Sequence, residues 1–250
     1  MINTQFEQTG YFHVPEFYSA AELCQIREVI DCFHQQWIAD NQQLYNSKAV
    51  NSAYLTANTY LDDTQRLVLF KFIASHKLMA QVDSILSGTA FINTQLFFNP
   101  VNPKQANYWH RDMQYHLDLS EQQAALTGPE VLHCRVALED EPGIELVPGT
   151  HRRWDTQVEL DTRLACEPHT PSDDLASGHK IAMKAGDLLI FSANMIHRGL
   201  YGKERLALDI LFSDPQPEVL HFVQKTCLPT PTMMASLEDP SAFKTTLEHQ

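Results

Sequence analysis

Basic residues are scarce in this sequence. Its 250 residues include 18 Lys and Arg against 31 Asp and Glu, which gives a formal net charge of -13 at pH 7 with neutral His. Nucleic acids and anionic membrane surfaces both require a basic face to offset phosphate charge, so neither class of partner is expected. The net charge does not restrict small-molecule substrates, because a pocket can be locally basic.

Cysteine is also sparse, and it follows no pattern. An odd number of scattered cysteines without a Cys-X-X-Cys pair argues against a disulfide framework and against a zinc knuckle. The five are Cys24, Cys32, Cys134, Cys166 and Cys227. No apolar run is long enough to cross a bilayer, and residues 1–10 lack the basic start and apolar core of a signal peptide. These absences predict a cytoplasmic protein.

The remaining composition is that of a soluble globular protein. Hydrophobic residues make up 44% of the chain and charged residues 20%. A chain of this length can bury one full core, and all-β barrels commonly reach this size without splitting. We therefore predict a single domain over residues 1–228. The polar, proline-containing segment 229–250 is predicted to be a loosely packed tail.

The first part of this domain, residues 16–87, is predicted to be a helical scaffold. Ser19 and Glu22 have the spacing of a capping box and open an amphipathic helix. Apolar residues at three- and four-residue spacing predict its buried stripe, namely Leu23, Ile26, Ile30, Phe33 and Trp37. Helical spacing returns over residues 64–86 and predicts two further helices. Residues 41–60 are interpreted as a loop with room for one strand.

After residue 88 the chain changes to β character. Short segments with turn signals between them predict strands at 91–98, 132–139, 144–147, 180–183, 188–192 and 206–212. One of these turns is predicted at 141–143, from Glu141-Pro142-Gly143. This pattern over 89–212 indicates a jelly-roll or barrel. Residues 152–178 are polar, contain prolines and show no period, which predicts a long loop or lid inserted into the β core.

His110 and Asp112 form a His-X-Asp motif. On an extended strand this spacing places both side chains on one face, about 6 to 7 Å apart, so that an imidazole nitrogen and a carboxylate oxygen can converge. If the fold brings His197 beside them, the result is the two-histidine, one-carboxylate arrangement of non-haem Fe(II) oxygenases. A lone His-X-Asp is more often a hydrogen-bonded pair, and we interpret His116 and Asp118 in that way. Other histidines are expected to be solvated, or to contact ligand residues without binding the metal themselves. They are His133, His151, His169, His179 and His221.

Four motifs follow one another in chain order. They are the opening from Glu7 to Ile30, Trp109-His110-Arg111-Asp112, the Pro-Gly-Thr-His hairpin within 143–151, and the Gly-Asp-Leu segment within 185–191 that precedes His197. In this order they resemble the phytanoyl-CoA dioxygenase-like family of Fe(II)/2-oxoglutarate-dependent oxygenases, and the combination is specific although each motif alone is weak. The resemblance implies a mainly β fold, a double-stranded β-helix (jelly-roll, cupin-like) with flanking N-terminal α-helices. It also implies Fe(II) and 2-oxoglutarate.

Carried over residue by residue, the resemblance implies that His110, Asp112 and His197 are the iron ligands. Arg205 stands where the family keeps an arginine that binds the remote carboxylate of 2-oxoglutarate. A planar guanidinium suits that role because it matches a carboxylate bidentately and stays charged in a semi-buried pocket. Arg198 is the alternative.

Two further residues are predicted at the co-substrate site. Gln95 matches a family strand position that faces 2-oxoglutarate, although strand alternation alone allows it to face outward equally well. Arg135 departs from the family pattern, which often has Trp there, and is expected in the wall of the co-substrate site or of the substrate pocket. Asp209 shares a strand face with Arg205, and we predict that it pairs with Arg135 inside the barrel.

The chemistry implied by the resemblance is hydroxylation of an unactivated C–H bond of a small molecule, with consumption of O2 and 2-oxoglutarate and release of succinate and CO2. Two alternatives remain: a non-catalytic metal- or ligand-binding sensor on the same barrel, and a cupin-like metal hydrolase or isomerase. The substrate and the oligomeric state stay open. Use of an acyl-CoA also stays open, because Arg152, Arg153 and Lys203 offer basic groups for phosphates.

Overall fold

The structure is a computed structural model that describes residues 2–202 and 204–249. Lys203, one of the candidate cations for phosphate binding, lies outside the described residues, as do the first and last positions of the chain. Within the described part, no helix is both long and apolar enough to cross a membrane.

The secondary structure follows the predicted division into helices and then strands. The strands are β1 (Tyr11–Val14), β2 (Asn51–Ala53), β3 (Ala90–Phe98), β4 (Val131–Ala137), β5 (Glu141–Leu146), β6 (His179–Met183), β7 (Leu188–Ser192), β8 (His197–Gly199) and β9 (Leu206–Ser213). The helices are α1 (Ile2–Thr9), α2 (Ala20–Asp40), α3 (Gln42–Ser47), α4 (Asp63–Ile73), α5 (His76–Asp83), α6 (Leu119–Ala125), α7 (Gln157–Arg163), α8 (Pro217–Leu220), α9 (Pro231–Met234) and α10 (Ser241–His249). All six predicted strand segments are confirmed within a few residues.

Two antiparallel sheets form a jelly-roll. Six strands pair in the order β1-β7-β4-β9-β3-β2, and three strands pair in the order β6-β5-β8. The two sheets share a small apolar cluster that includes Leu146 of β5 with Leu189 and Phe191 of β7. The predicted double-stranded β-helix with flanking helices is confirmed.

The six-stranded sheet has an apolar face and a polar face. On β4, Cys134 and Val136 lie in the main hydrophobic core with the helices, whereas His133 and Arg135 line a central cavity. This separation follows from the two-residue period of a strand, which sends successive side chains to opposite faces. The sheet therefore joins the helical scaffold on one side to the cavity on the other.

The helical scaffold begins as predicted. Ser19 accepts a hydrogen bond from the Glu22 backbone N–H, and the Glu22 carboxylate accepts from Ser19, so the capping box of α2 is formed. The five predicted stripe residues of α2 are all buried. Helices α4 and α5 occupy the segment 64–86, and the segment 41–60 contains α3 as well as the single strand β2.

The turn expected at residues 141–143 is wrong, because these residues begin β5. The pairing of β5 with β6 shifts register between Glu141 and Ile144, as in a β-bulge. Gly143 has a φ of 82°, and a Cβ at this position would lie 1.8 Å from the carbonyl oxygen of Ile181. Only glycine fits such a backbone approach. The bulge places the Glu141 side chain, which is 5% exposed, inside the protein.

The segment 152–178 is not a continuous loop, because it contains α7. The prediction failed here since the helix is short, yet it carries a capping signal: Thr156 accepts a hydrogen bond from the Glu159 backbone N–H, and Glu159 accepts from Thr156. The side chain of Asp155, next to this helix, is fully buried. The segment is therefore anchored in the protein interior.

The tail at 229–249 is not loosely packed, so this expectation is wrong. Helix α10 lies against β3, and its Phe243 is 1% exposed. The Phe243 ring lies 4.8 Å from that of Phe91 and 5.4 Å from that of Phe70, measured between centroids. Thr246 donates a hydrogen bond to the Phe91 carbonyl oxygen at 2.8 Å. The polar composition of the tail concealed one apolar face on a short helix.

This packing predicts that Phe243→Ala lowers the free energy of unfolding by about 3 to 5 kcal/mol, the usual cost of removing a buried aromatic ring. Leu247→Ala on the same helix is the matched control, because Leu247 is 48% exposed and surface substitutions typically change stability by about 0.5 kcal/mol or less. Chemical denaturation of the full chain measures both variants. Equal small effects would contradict the packing of α10.

Candidate metal centre and cavity

The two histidines of the predicted triad are joined through the backbone. His110 and His197 form an isolated antiparallel bridge in which each N–H donates to the other carbonyl oxygen at 2.9 Å. Directly opposed residues of this kind lie side by side, and the two imidazole centroids are 4.2 Å apart. The fold thus brings together residues that are far apart in the sequence.

Asp112 completes the group. Its Oδ1 lies 3.6 Å from Nε2 of His110 and 3.5 Å from Nε2 of His197. The expectation that His110 and Asp112 lie on one strand is wrong: His110 is a bridge residue, and Asp112 begins a 3-10 turn over Asp112–Tyr115. The tight turn brings the carboxylate close to the imidazoles. The candidate ligand atoms of the three residues all lie within 4.8 Å of one another, which suits one metal ion.

The other ring nitrogens orient both imidazoles. Nδ1 of His110 lies 3.1 Å from the Tyr108 carbonyl oxygen, and Nδ1 of His197 lies 3.0 Å from that of Met195. A carbonyl oxygen only accepts, so each Nδ1 carries the proton and each Nε2 keeps a free lone pair. This is how metal-binding histidines are commonly held.

Burial and neighbouring charges favour the metal-binding protonation states. Burial lowers the pKa of His110, and burial together with nearby His110 lowers the pKa of His197 to about 3. Burial alone would raise the pKa of the Asp112 carboxyl, but His133, His197 and His110 lower it overall. At neutral pH the site therefore presents two neutral imidazoles and one carboxylate.

A further histidine holds the second oxygen of Asp112. Nε2 of His133 lies 2.7 Å from Asp112 Oδ2, and Nδ1 of His133 lies 3.1 Å from Asp209 Oδ2. Its ring stacks on Phe191 at 4.7 Å with an interplanar angle of 11°. Burial lowers the pKa of His133, but the Asp112 and Asp209 carboxylates raise it to about 9 overall. The sequence offered no reason to choose His133 from the five histidines that were not expected to bind the metal.

Arg111, between two candidate ligands, anchors their turn in the protein. Its side chain is fully buried and donates to Asp155 Oδ1 from Nε at 2.9 Å and from Nη2 at 2.6 Å. Nη1 donates to the carbonyl oxygens of Thr150, at 2.7 Å, and of Asn194. Arg163 of α7 donates to the other Asp155 oxygen at 2.5 Å. The segment 152–178 thus fixes the ligand turn, a role that sequence reasoning missed.

The predicted pair of Arg135 and Asp209 is confirmed. Nη1 of Arg135 donates to Asp209 Oδ1 at 3.0 Å, and both Nε and Nη2 donate to Glu141 Oε1, at 3.1 and 3.0 Å. All three side chains are essentially buried. All three nitrogens of Arg135 are therefore engaged with carboxylates. Glu141 was not predicted at this site because its position was interpreted as a turn.

Arg205 is buried beside this group but is not satisfied by it. Its Nε has no hydrogen-bond partner, and the nearest carboxylate oxygen, Glu141 Oε2, is 3.7 Å away, beyond hydrogen-bond distance. Burial and then the charge of Arg135 lower the pKa of Arg205 to about 10, so the guanidinium stays charged at neutral pH. The rival Arg198 donates to Glu145 at 2.8 Å and to Asp174 at 2.5 Å instead.

Gln95 faces the same cavity as Arg205. It pairs in register with Asp209, which in turn pairs in register with Arg135 on the next strand. Residues aligned across neighbouring strands share a face, and all of these side chains line the cavity. The inward orientation that alternation alone left undecided is thereby established.

The cavity that holds all six predicted site residues has a volume of about 1190 Å³. The triad, His133 and the two buried arginines form its inner part, while α6, α8 and the Tyr115–Leu117 region form its outer part. Asp118 does not enter the cavity as a ligand, because its carboxylate caps α6 by accepting from the Glu121 N–H at 2.9 Å. His116 lines the cavity away from the triad.

Comparison with known proteins shows the family and similar folds. The family model for phytanoyl-CoA dioxygenase (PhyH) matches residues 6–201. Similar folds are found in HygX from Streptomyces hygroscopicus with nickel and 2-oxoglutarate bound, at 13% identity over 84% of each chain with a TM-score of 0.58, and in EctD from S. alaskensis with bound Fe, at 16% identity over 85% of this chain and 75% of that chain with a TM-score of 0.56. The alpha-ketoglutarate-dependent epimerase SnoN from nogalamycin biosynthesis matches at 15% identity over 86% of this chain and 81% of that chain, with a TM-score of 0.51. A search of curated proteins found no match.

A jelly-roll whose interior presents two histidines and one carboxylate is a scaffold of the non-haem metal-dependent class. Within that class, the chain belongs to the phytanoyl-CoA dioxygenase family.

The contact between His133 and Asp112 predicts a change in metal affinity. His133→Phe keeps the aromatic packing but frees Asp112 Oδ2, and we expect metal binding to weaken about 10- to 100-fold, the usual effect of losing a partner that orients a ligand. His133→Gln, which retains an amide donor, should recover part of the loss. Titration of the apoprotein with a divalent metal measures this, with the exposed His76→Phe as control. Unchanged affinity in His133→Phe would show that Asp112 needs no such support.

Proposed function

We propose that this protein is an Fe(II)- and 2-oxoglutarate-dependent oxygenase that hydroxylates an unactivated C–H bond of a small molecule. One observation carries the proposal: the convergent His110, Asp112 and His197 share a cavity with Arg205, a buried guanidinium whose Nε lacks a partner. The donor set suits ferrous iron, and the guanidinium suits a carboxylate. The residues present therefore fit both groups.

In this proposal each side chain has a defined task. His110, Asp112 and His197 would hold the iron. Arg205 binds the remote carboxylate of 2-oxoglutarate, and Gln95 donates or accepts a hydrogen bond beside it. Bound iron supplies oxidation of a C–H bond at the expense of O2 and 2-oxoglutarate, which leaves as succinate and CO2.

Arg135 acts on the co-substrate site through its partners. Glu141 and Asp209 are buried carboxylates that would repel a dicarboxylate if they carried unbalanced charge. Arg135 donates to both of them and so offsets their field, while Arg205 remains available. Arg135, which stands where the family often has Trp, therefore has a role in the wall of the 2-oxoglutarate site.

Hydroxylation is the expected outcome because Asp112 occupies the carboxylate position. Related halogenating enzymes lack that carboxylate, which makes room for a halide. The neighbouring SnoN structure is described as an epimerase, so product analysis decides between oxygen insertion and other oxidations once a substrate is known.

Anaerobic addition of Fe(II) and 2-oxoglutarate tests the proposal. We expect a weak visible metal-to-ligand charge-transfer band, followed by succinate release when air is admitted. A cupin-like hydrolase or isomerase gives neither signal, and a sensor gives the band without succinate. His197→Ala should abolish the band, whereas the exposed His76→Ala should not. Absence of both signals in metal-loaded protein would refute the oxygenase assignment.

Arg205→Met should weaken 2-oxoglutarate binding about 10- to 100-fold, because a hydrogen-bonded charged pair contributes roughly 1.5 to 3 kcal/mol. Metal affinity should stay unchanged, and stability should not fall, since the substitution removes a buried donor without a partner. Titration of the charge-transfer band with 2-oxoglutarate measures the affinity. Arg152→Met, at an exposed surface arginine, is the matched control. Equal 2-oxoglutarate affinities of the two variants would show that Arg205 does not bind 2-oxoglutarate.

A further inference from the structure

The outer part of the cavity is apolar and much larger than the co-substrate needs. Its total volume is about 1190 Å³, whereas cavities for drug-sized ligands commonly measure roughly 300 to 1,000 Å³. Beyond the metal its walls include the apolar side chains of Ile92, Leu117, Val131, Leu211 and Val219. Room therefore remains for a substrate of considerable size, and the walls offer it mainly hydrophobic contact.

Aromatic side chains surround the mouth of this cavity. Tyr54, Tyr115 and Phe222 line it and are 38%, 54% and 49% exposed. Large apolar side chains gathered at the surface around a concavity mark ligand-binding grooves. His116 lies over Phe222 with 5.3 Å between ring centroids. These rings offer flat surfaces for a ring system or a long chain.

The charges that line the cavity do not favour an anion beyond the co-substrate. Among the described lining residues the only Lys or Arg are Arg135 and Arg205, and both lie at the inner end. Arg135 is already hydrogen-bonded to Glu141 and Asp209, and Arg205 would pair with a carboxylate of 2-oxoglutarate. At the outer end Glu121 and Glu218 carry exposed carboxylates.

The loaded inner site also carries no excess positive charge. Ferrous iron and the two arginines carry four positive charges, whereas Asp112, Glu141, Asp209 and doubly charged 2-oxoglutarate carry five negative charges. An acyl-CoA would place phosphates near the carboxylates of Glu121 and Glu218, and like charges repel.

From volume, apolar walls and charge together, we infer that the prime substrate is a large, predominantly apolar molecule whose polar groups are neutral or cationic, and that acyl-CoA thioesters are not substrates. This rests on the proposed function, because the metal and 2-oxoglutarate define which part of the cavity remains for the substrate. The family name therefore does not describe the substrate of this chain.

Three fluorescent probes with one apolar body test the inference: pyrenebutanol, pyrenebutylamine and pyrenebutyrate. We expect the alcohol and the amine to bind the protein, with the carboxylate bound about twofold to fivefold more weakly than the amine, the scale of an exposed charge interaction. Fluorescence anisotropy measures binding to the full chain with and without Fe(II) and 2-oxoglutarate. Equal or tighter binding of pyrenebutyrate, or no binding of any probe, overturns the inference. Displacement of bound pyrenebutanol by decanoyl-CoA also overturns it.

Two sets of variants locate the probe. Ala125→Trp and, independently, Val219→Trp fill the outer cavity and should abolish binding, whereas Leu247→Trp on α10 should not. Combined Glu121→Gln and Glu218→Gln should reduce the preference for the amine over the carboxylate. Gln at position 121 can still complete the capping box of α6, so the helix is retained. Probe binding unaffected by both tryptophans places it elsewhere and refutes the inference.

Failure of this inference is distinguishable from failure of the proposed function. Probe binding does not depend on turnover, while succinate release from Fe(II), 2-oxoglutarate and air does not depend on the probes. Succinate release together with tight pyrenebutyrate binding supports the oxygenase assignment and refutes the inferred substrate class. Selective pyrenebutylamine binding without succinate release supports the inferred ligand class of the cavity and refutes the oxygenase assignment.

Discussion

The site depends on two backbone hydrogen bonds between His110 and His197. These bonds bring the His-X-Asp motif next to the distant His197. Side-chain attraction alone does not align two imidazoles. Because the bonds belong to the sheet framework, the ligand geometry is supported by backbone and not by flexible side chains. Asp112 then follows from local chain geometry, as the 3-10 turn directly after the bridge carries its carboxylate back toward both rings.

The polar interior of the barrel forms one connected chain of contacts. Asp112 is bound by His133, His133 by Asp209, Asp209 by Arg135, and Arg135 by Glu141. Breaking one partner of such a buried pair leaves an uncompensated charge, which is strongly destabilising. Asp112 is therefore energetically coupled to Arg135 and Glu141, and substitutions within this chain of contacts are expected to affect its other members. Arg205 lies outside the chain.

The parts that followed from sequence are those encoded by local patterns. The α2 capping box rests on a four-residue motif, and the six strand segments rest on short runs between turn signals. The pairing of Arg135 with Asp209 followed from the alternation of side chains on their strands. Arg111 with Asp155, and His133 with Asp112, were missed because their partners are distant and their residue types are ordinary. Phe243 was missed because a short helix reveals its apolar face only against the strand that it covers.

Arg205 shows where stability and function oppose each other in this fold. A buried donor without a partner costs about 1 to 3 kcal/mol, and its Nε has none. The neighbouring Glu141 could satisfy it by moving closer, but that carboxylate is held by Arg135 through two nitrogens. Arg135 thus keeps Arg205 unsatisfied, so that a ligand carboxylate can recover the lost interaction. Proteins commonly retain such local instability where ligand binding requires it. In this protein Arg135, at a position where the family often has Trp, keeps Arg205 without a partner.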